Sequence, residues 1–397
     1  MKNKNKIPSS REGEGKMIFD TVDYELLRLT GLCRYMPSGI CRKYDTPMFK
    51  RSVISNLKLH RLIKLMNDKM SYKLTKKGRD CLEEMGMTFA KDARTDLKKA
   101  SYQRKLKNAQ WNVLLTLAGI DVYYENARKL ATADCGYLSS LLLRADNMVR
   151  VLSGARFFGI LKIADTVYVP YYVENDQSWI YPKFEREIYR SQTDSMKNVK
   201  DIKLILIGES LEELWGYMNP AGEPRESGKG MKPFKKALEE LACEYLLIPF
   251  GRDGVMQMSV LKIAGYRQRL AKAIGCDEVT SLSECDGIRD GVPYIIAIDC
   301  NVKRLIRALR QVERYDKRLV PRVCCLPFQK STVIKIIKKY NLPKTIVTAI
   351  PNADMYKVFP EIKENEIKRD GFLTKEGACI EVYERNLTKA EIEDYGE

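Results

Sequence analysis

A single histidine, His60, stands among the 397 residues. That scarcity removes several chemistries. No imidazole cluster can hold the metal of a relaxase, no Cys/His pair is available for covalent catalysis, and no cysteine stands at zinc-finger spacing from His60. One residue past Leu59 at a helix end, His60 reads as a capping or partly buried residue. The eleven cysteines are scattered without a C-x-x-C pair, which fits free thiols in a reducing compartment. No metal and no other cofactor is expected. Long apolar runs are also missing: Leu204 to Ile207 and Tyr294 to Ile298 are strand-length, against roughly 20 residues for a membrane span. The first sixteen residues carry Lys2, Lys4, Lys6, Arg11 and Lys16 with no apolar stretch behind them. No secretory signal is read there, and a cytoplasmic location is expected. With no basic amphipathic helix or lipidation signal at the start, a membrane partner is not expected. A phosphate loop is absent as well: before Gly228-Lys229-Gly230, Glu223 stands where the first glycine belongs, and no Ser or Thr follows the lysine.

What is present is ordinary globular composition, 45% hydrophobic and 30% charged, in a chain long enough for two or three folded units. The formal charge of +17 is not spread evenly. Residues 1–110 hold 26 Lys+Arg against 12 Asp+Glu, whereas residues 111–397 hold 43 against 40. A focused excess is the footprint of a phosphate backbone, so double-stranded DNA is the expected partner.

From Asp23, DYELLRLTGLCRYM places Tyr24, Leu27, Cys33 and Met36 near one helical face, widened by Leu26, Leu29 and Leu32 and ended by Pro37-Ser38-Gly39. A short second helix, Ile40 to Tyr44, carries Lys43. Thr46 as cap and Pro47 at the first position predict a third helix from Pro47. There Phe49, Val53 and Leu57 form the inner stripe, leaving Lys50, Arg51, Ser55 and Lys58 more exposed. RLIKLM and SYKLT then read as two strands around a polar turn, and LTKKGRDCLEEM returns to helix. Three helices and a basic hairpin make a winged helix (helix-turn-helix class), with the third helix entering a major groove and Lys69, Lys73, Lys76 and Lys77 reaching phosphates. The DNA-binding set is therefore Lys43, Lys50, Arg51, Ser55, Lys58, Lys69, Lys73, Lys76 and Lys77. Lys91 to Lys107 reads as a basic exposed helix or linker.

Beyond Trp111 the pattern is mixed α/β. Helices are expected at Trp111 to Ala118 and Tyr137 to Leu152, a hairpin about Ala164-Asp165-Thr166, helix at Trp179 and Glu185 to Tyr189, and a strand at Ile202 to Ile207. Pro220 to Met231 reads as a surface loop. Tyr245 to Phe250 is expected as a strand, with Val255 to Ile263 as its hairpin partner across Gly251-Arg252-Asp253-Gly254, followed by helix at Tyr266 to Ile274. Strands at Tyr294 to Asp299, Val320 to Pro327 and Thr345 to Ile350 then alternate with helices at Lys303 to Tyr315 and Thr332 to Tyr340.

A Mg²⁺-dependent nuclease needs clustered carboxylates and a lysine. Asp165 with Glu174-Asn175-Asp176 supplies carboxylates without the lysine, Asp201-Ile202-Lys203 has the acid-to-lysine spacing without a second acid, and Glu185 and Glu187 read as solvated. No Arg/Lys/His set of a tyrosine recombinase is found among the 22 tyrosines, and Tyr171 and Tyr172 read as packing residues. No catalytic residues are assigned.

Tyr72-Lys73-Leu74-Thr75-Lys76-Lys77-Gly78, Ala155-Arg156-x-x-Gly159-Ile160-Leu161, Tyr172, Trp179, Glu185, and Tyr245-Leu246-Leu247-Ile248-Pro249-Phe250-x-x-Asp253-Gly254 carry a resemblance. Over roughly residues 20–330 the chain is similar to the replication-relaxation family of mobile-element proteins of Gram-positive bacteria. That resemblance implies plasmid or integrative-element biology, with a winged helix joined to a restriction-endonuclease-like α/β domain that assists replication or DNA relaxation. The expected organisation is a DNA-binding domain at 18–90, a basic linker at 91–110, an α/β domain at 111–360 with subdomains 111–215 and 235–360, and a polar tail at 361–397. Its role is sequence-selective binding with a non-catalytic nuclease-like domain. Two alternatives stay open: a Mg²⁺-dependent nuclease or nickase, and a transcription regulator whose α/β domain takes a ligand or partner. A replication or relaxation protein and a second copy of the chain stay open as further partners.

Overall fold

The computed structural model describes residues 19–44, 46, 49–87, 100–143, 156–174, 179–180, 186, 199–219, 232–241, 243–278, 282–365, 371–373 and 379–381. The fold is mixed α/β, in two compact units. Unit 1 comprises residues 1–109 and 367–397, and unit 2 residues 110–366. The expected loop Pro220 to Met231, along with Pro47, Lys91 to Lys99, Ala155, Glu185 and Glu187, lies outside the described residues.

Unit 1 opens with β1 (Phe19–Asp20) and α1 (Thr21–Cys33). The helix stops three residues before the sequence pattern does. Arg34 takes a left-handed conformation, φ 64°, and releases the chain into β2 (Met36–Pro37). Met36, expected on the helix, is thus a strand residue. After α2 (Ile40–Tyr44) comes α3 (Arg51–Leu59), which starts at Arg51 and not at Pro47. The cause is a single tight turn, Phe49 N–H donating to Thr46 O at 3.1 Å, with the Phe49 ring in the core and the Thr46 hydroxyl buried without a partner among the described residues. The inner stripe becomes Phe49, Ile54 and Leu57, with Val53 half-buried.

A left-handed Arg61 ends α3, its N–H reaching Lys58 O at 3.0 Å while Leu62 N–H reaches Leu57 O at 2.9 Å, the paired bonds of a Schellman cap. Then follow β3 (Ile63–Leu65), β4 (Ser71–Leu74) and α4 (Lys76–Glu84). The three strands form one antiparallel sheet in the order β2-β4-β3. Thr75 joins hairpin to helix: its hydroxyl accepts from Gly78 N–H at 3.1 Å, capping α4, and donates to Arg61 O at 2.5 Å. Gly78 lies so close to Leu62 that a Cβ there would collide with the Leu62 carbonyl oxygen and stand 3.0 Å from its carbon. The Thr-x-x-Gly spacing is therefore what seats α4 on the exit of α3. The basic stretch before unit 2 is not a wholly exposed linker. In α5 (Ala100–Leu117), Tyr102 and Leu106 are buried with Tyr35, and Tyr102 Oη lies 2.7 Å from Ser71 Oγ on β4.

Unit 2 continues through α6 (Ala127–Ala131), β5 (Cys135–Ser139), α7 (Ser140–Leu143), β6 (Gly159–Ile163), β7 (Thr166–Tyr172) and β8 (Trp179–Ile180). Parts of two expected helices are corrected here, while Ser140–Leu143 and Arg186 are helical as expected and residues 144–152 lie outside the described ones. Tyr137 and Leu138 belong to a strand because they pair with Leu161 and Ile160, and Trp179 is in a strand paired with Pro233. The β6–β7 hairpin turns at Ala164, φ 51°, as its sequence suggests. Next come β9 (Asp201–Gly208), α8 (Leu211–Met218), β10 (Lys232–Pro233), α9 (Phe234–Leu241), β11 (Tyr245–Pro249) and α10 (Arg252–Leu261). Val255 to Ile263 is not a hairpin partner of β11. Gly251, φ 92°, opens α10, whose Met256 to Leu261 are all buried, so the apolar run mimics a strand. Five strands form a mixed sheet, β11-β9-β7-β6-β5, parallel from β11 to β7 and antiparallel beyond. Because β11 pairs with β9, residues on both sides of the 215/235 boundary build this one sheet.

After α11 (Tyr266–Ala273), a second sheet β12-β13-β14-β15 (Gly287–Arg289, Val292–Ile296, Arg322–Cys325, Ile346–Ala349) alternates with α12 (Val302–Tyr315) and α13 (Lys330–Lys339), followed by α14 (Asn352–Val358). On α12, Val302, Leu305, Leu309 and Val312 recur at helical spacing as its buried stripe. The last two strands, β16 (Gly371–Leu373) and β17 (Cys379–Glu381), belong to unit 1. β16 pairs with both β1 and β17, so part of the expected polar tail is built into the amino-terminal unit.

Candidate nucleic-acid interface

The orientation of α3 is set from below by Ile54 and Leu57 in the core and by Asn56, whose amide donates to the buried Asp23 carboxylate of α1 at 2.5 Å. With that side pinned, Arg51, Ser55 and Lys58 fall within about 60° of one another around the helix, and Ser52 and Leu59 widen the face to about 120°. All five are exposed. Lys50 is exposed too, but it is the N-cap in extended backbone, ψ 147°, and stands off the helical periodicity. Lys43 sits on α2, half-exposed. His60, the single histidine, is the C-cap of α3 and half-buried.

The hairpin adds a second group. Lys69 occupies the left-handed position of the turn, φ 58°, its N–H donating to Met66 O at 2.9 Å. Ser38 clamps that turn from β2, its hydroxyl donating to Lys69 O at 2.8 Å and its N–H to Met70 O at 2.9 Å. Lys73 on β4 stands directly opposite Lys64 on β3. Lys76 and Lys77 form the exposed first turn of α4.

Two features make this surface electrostatically costly without a partner. Like charges directly opposite on a hairpin repel, and cations in a helix's first turn oppose its dipole. Lys50, Arg51, Lys58, Arg61, Lys64, Lys69, Lys73, Lys76 and Lys77 make no ion pair among the described residues. An anionic partner relieves both repulsions. Sequence reasoning missed Ser52, Leu59, Arg61 and Lys64. Lys64 carried a signal, since the period-2 alternation of Ile63-Lys64-Leu65 matches that of Tyr72-Lys73-Leu74 across the hairpin.

No family model, curated protein or solved structure matches the chain.

In unit 2 the nuclease candidates are separated or already engaged. Asp165 precedes β7 and Glu174 follows it, so about 30 Å of extended strand divides them and they cannot share a metal ion. Asn175 and Asp176 lie outside the described residues. Asp165 pairs with Lys200 at 2.9 Å, and the lysine hydrogen bond holds its carboxyl below the usual range. Lys203 is bound by Asp201 at 3.1 Å and by Glu244 at 3.0 Å. Burial pushes the Glu244 carboxyl up, but hydrogen bonds from Asn301, Lys203 and Arg307 outweigh it and hold its pKa at about 2. These groups form a closed charge network rather than a vacant metal site. Among the described residues no three His, Cys, Asp or Glu side chains gather as a metal-holding group. At the other end of the sheet, Tyr172 stacks between Phe158 and Phe250 and donates to Glu209 at 3.2 Å, while Tyr171 is buried, so both tyrosines pack.

Proposed function

We propose that unit 1 is a winged helix that binds double-stranded DNA with sequence selectivity, with α3 in the major groove and the β3–β4 hairpin with the first turn of α4 on phosphates. The observation that carries this reading is the largely exposed cationic set on α3, the hairpin and the first turn of α4, which makes no ion pair among the described residues. The order of elements, α1-β2-α2-α3-β3-β4 with the sheet arranged β2-β4-β3, supports it, since this is the connectivity by which a winged helix presents its third helix beside its wing. In this reading unit 2 is a non-catalytic scaffold for a protein partner or a second copy. The short motifs that resemble the replication-relaxation family favour an origin of a plasmid or integrative element as the target and a role in replication or DNA relaxation.

The test is fluorescence anisotropy of the full chain on duplex DNA between 50 and 200 mM salt. If six to nine cations meet phosphates, affinity falls by about 10³–10⁵ over that range. Salt-independent binding, or no duplex binding, overturns the proposal. Nicking of supercoiled plasmid in Mg²⁺ or Mn²⁺ overturns the scaffold role of unit 2, and footprints confined to a promoter replace the origin by a regulatory target.

A further inference from the structure

Leu59 is the most exposed large hydrophobic side chain among the described residues, ahead of Met70 and Leu65 on the hairpin. Leu26, Leu27, Leu29, Leu32, Leu57 and Leu62 are all buried, yet Leu59 is 78% exposed. It is not on a frayed end: the bonds of Arg61 N–H to Lys58 O and Leu62 N–H to Leu57 O lock the last turn of α3 around it. We propose that Leu59 reads sequence, by packing against the 5-methyl group of a thymine in the major groove. The inference rests on the duplex-binding reading above.

The neighbours of Leu59 select this occupant. On its own face stand Arg51, Ser52, Ser55 and Lys58, and Arg61 follows, exposed, at the helix end. An apolar groove on a protein would have to desolvate those cations, which have no ion-pair partner among the described residues. A DNA groove accepts them on phosphates and on guanine edges, and the apolar group on its major-groove base edges is the thymine methyl. The spacing gives a further expectation. Leu59 lies eight residues after Arg51, about 12 Å along the helix, which matches three to four base pairs. The thymine read by Leu59 should stand that far from the base met by Arg51.

The experiment uses the full chain. Duplexes bound by wild type are enriched from a random-sequence pool, and each thymine of the winning site is then replaced in turn by deoxyuridine, which removes only the methyl. Expected is one position where the replacement weakens wild type about fourfold, the value of one buried methyl-sized group, and has no effect on Leu59→Ala. Because Leu59 is exposed, that variant keeps its fold, checked by its unchanged melting curve. Enriched sites at which deoxyuridine is silent everywhere, or costs Leu59→Ala as much as wild type, overturn the assignment and leave duplex binding standing. A pool from which nothing is enriched and no duplex binds removes both.

Discussion

Replacing Lys73 by glutamate separates stability from binding at the hairpin. Lys73 faces Lys64 across β3 and β4, so the substitution turns a repulsive pair into an attractive one. Opposite charges so placed contribute about 0.2–1 kcal/mol and like charges cost a similar amount, less where solvent screens them. A net gain of about 0.5 kcal/mol is expected for this pair, in which Lys64 is exposed and Lys73 half-buried. For a unit of about 140 residues, 1–109 with 367–397, this raises the unfolding midpoint by about 1–3 °C. Duplex affinity moves the other way: losing one phosphate contact lowers the salt slope by about 0.9, and the new carboxylate repels the same phosphate. The expected loss is about five- to twentyfold at 100 mM salt. Calorimetry and anisotropy on the same preparation decide the matter. A fall in the midpoint together with affinity makes the loss a folding defect, and unchanged affinity removes the hairpin from the DNA.

Other substitutions probe separate parts of the argument. Arg51→Ala should cost about 1–3 kcal/mol on the cognate site and narrow its margin over scrambled duplex, whereas Lys76→Ala with Lys77→Ala should weaken all sequences alike and lower the salt slope by about two. Equal losses from both, on both duplexes, mean that α3 rides the backbone. Gly78→Ala drives a methyl group into the Leu62 backbone and should destabilise unit 1 by about 1–3 kcal/mol in urea unfolding; no change in midpoint refutes the close approach. Glu244 has a folded pKa of about 2, below its unfolded value, so its contribution is present above about pH 4.3 and is lost as pH falls towards 2. Glu244→Gln should remove stability on the order of 3 kcal/mol at pH 7 and flatten the acid limb between pH 5 and 2; parallel acid limbs for variant and wild type contradict the charge network.

Local signals in the sequence reach as far as local interactions decide the fold. The β6–β7 hairpin and α2 follow from turn chemistry and periodicity, and α4 is read from LTKKGRDCLEEM, although its Thr75 cap shows only in the structure. The misreadings share a cause. At Tyr137 and Leu138 and at Val255 to Leu261, a short apolar run is compatible with helix or strand, and only the neighbour it buries against chooses between them. After Thr46 the long helix starts only at Arg51, with Phe49 buried ahead of it. Most of the candidate interface was legible because exposure on α3 follows from spacing. Lys64 was signalled by alternation but its partner Lys73 is set by cross-strand register, and Leu59 was not legible because the left-handed cap at Arg61 sets its surroundings.

The pairing of β1 with β16 has a consequence for synthesis. Asp20 meets Phe372, about 350 residues later, and β17 lies further on still. At about 5–20 residues per second a ribosome needs roughly 20–70 s to deliver the partner strand after β1 has emerged. During that interval the α1–α4 portion must hold together on its own packing, while the whole of unit 2 is made and free to fold. The amino-terminal unit is therefore the first begun and the last completed. A nascent chain released before residue 371 leaves Phe19–Asp20 with an open strand edge, a template for pairing with another chain.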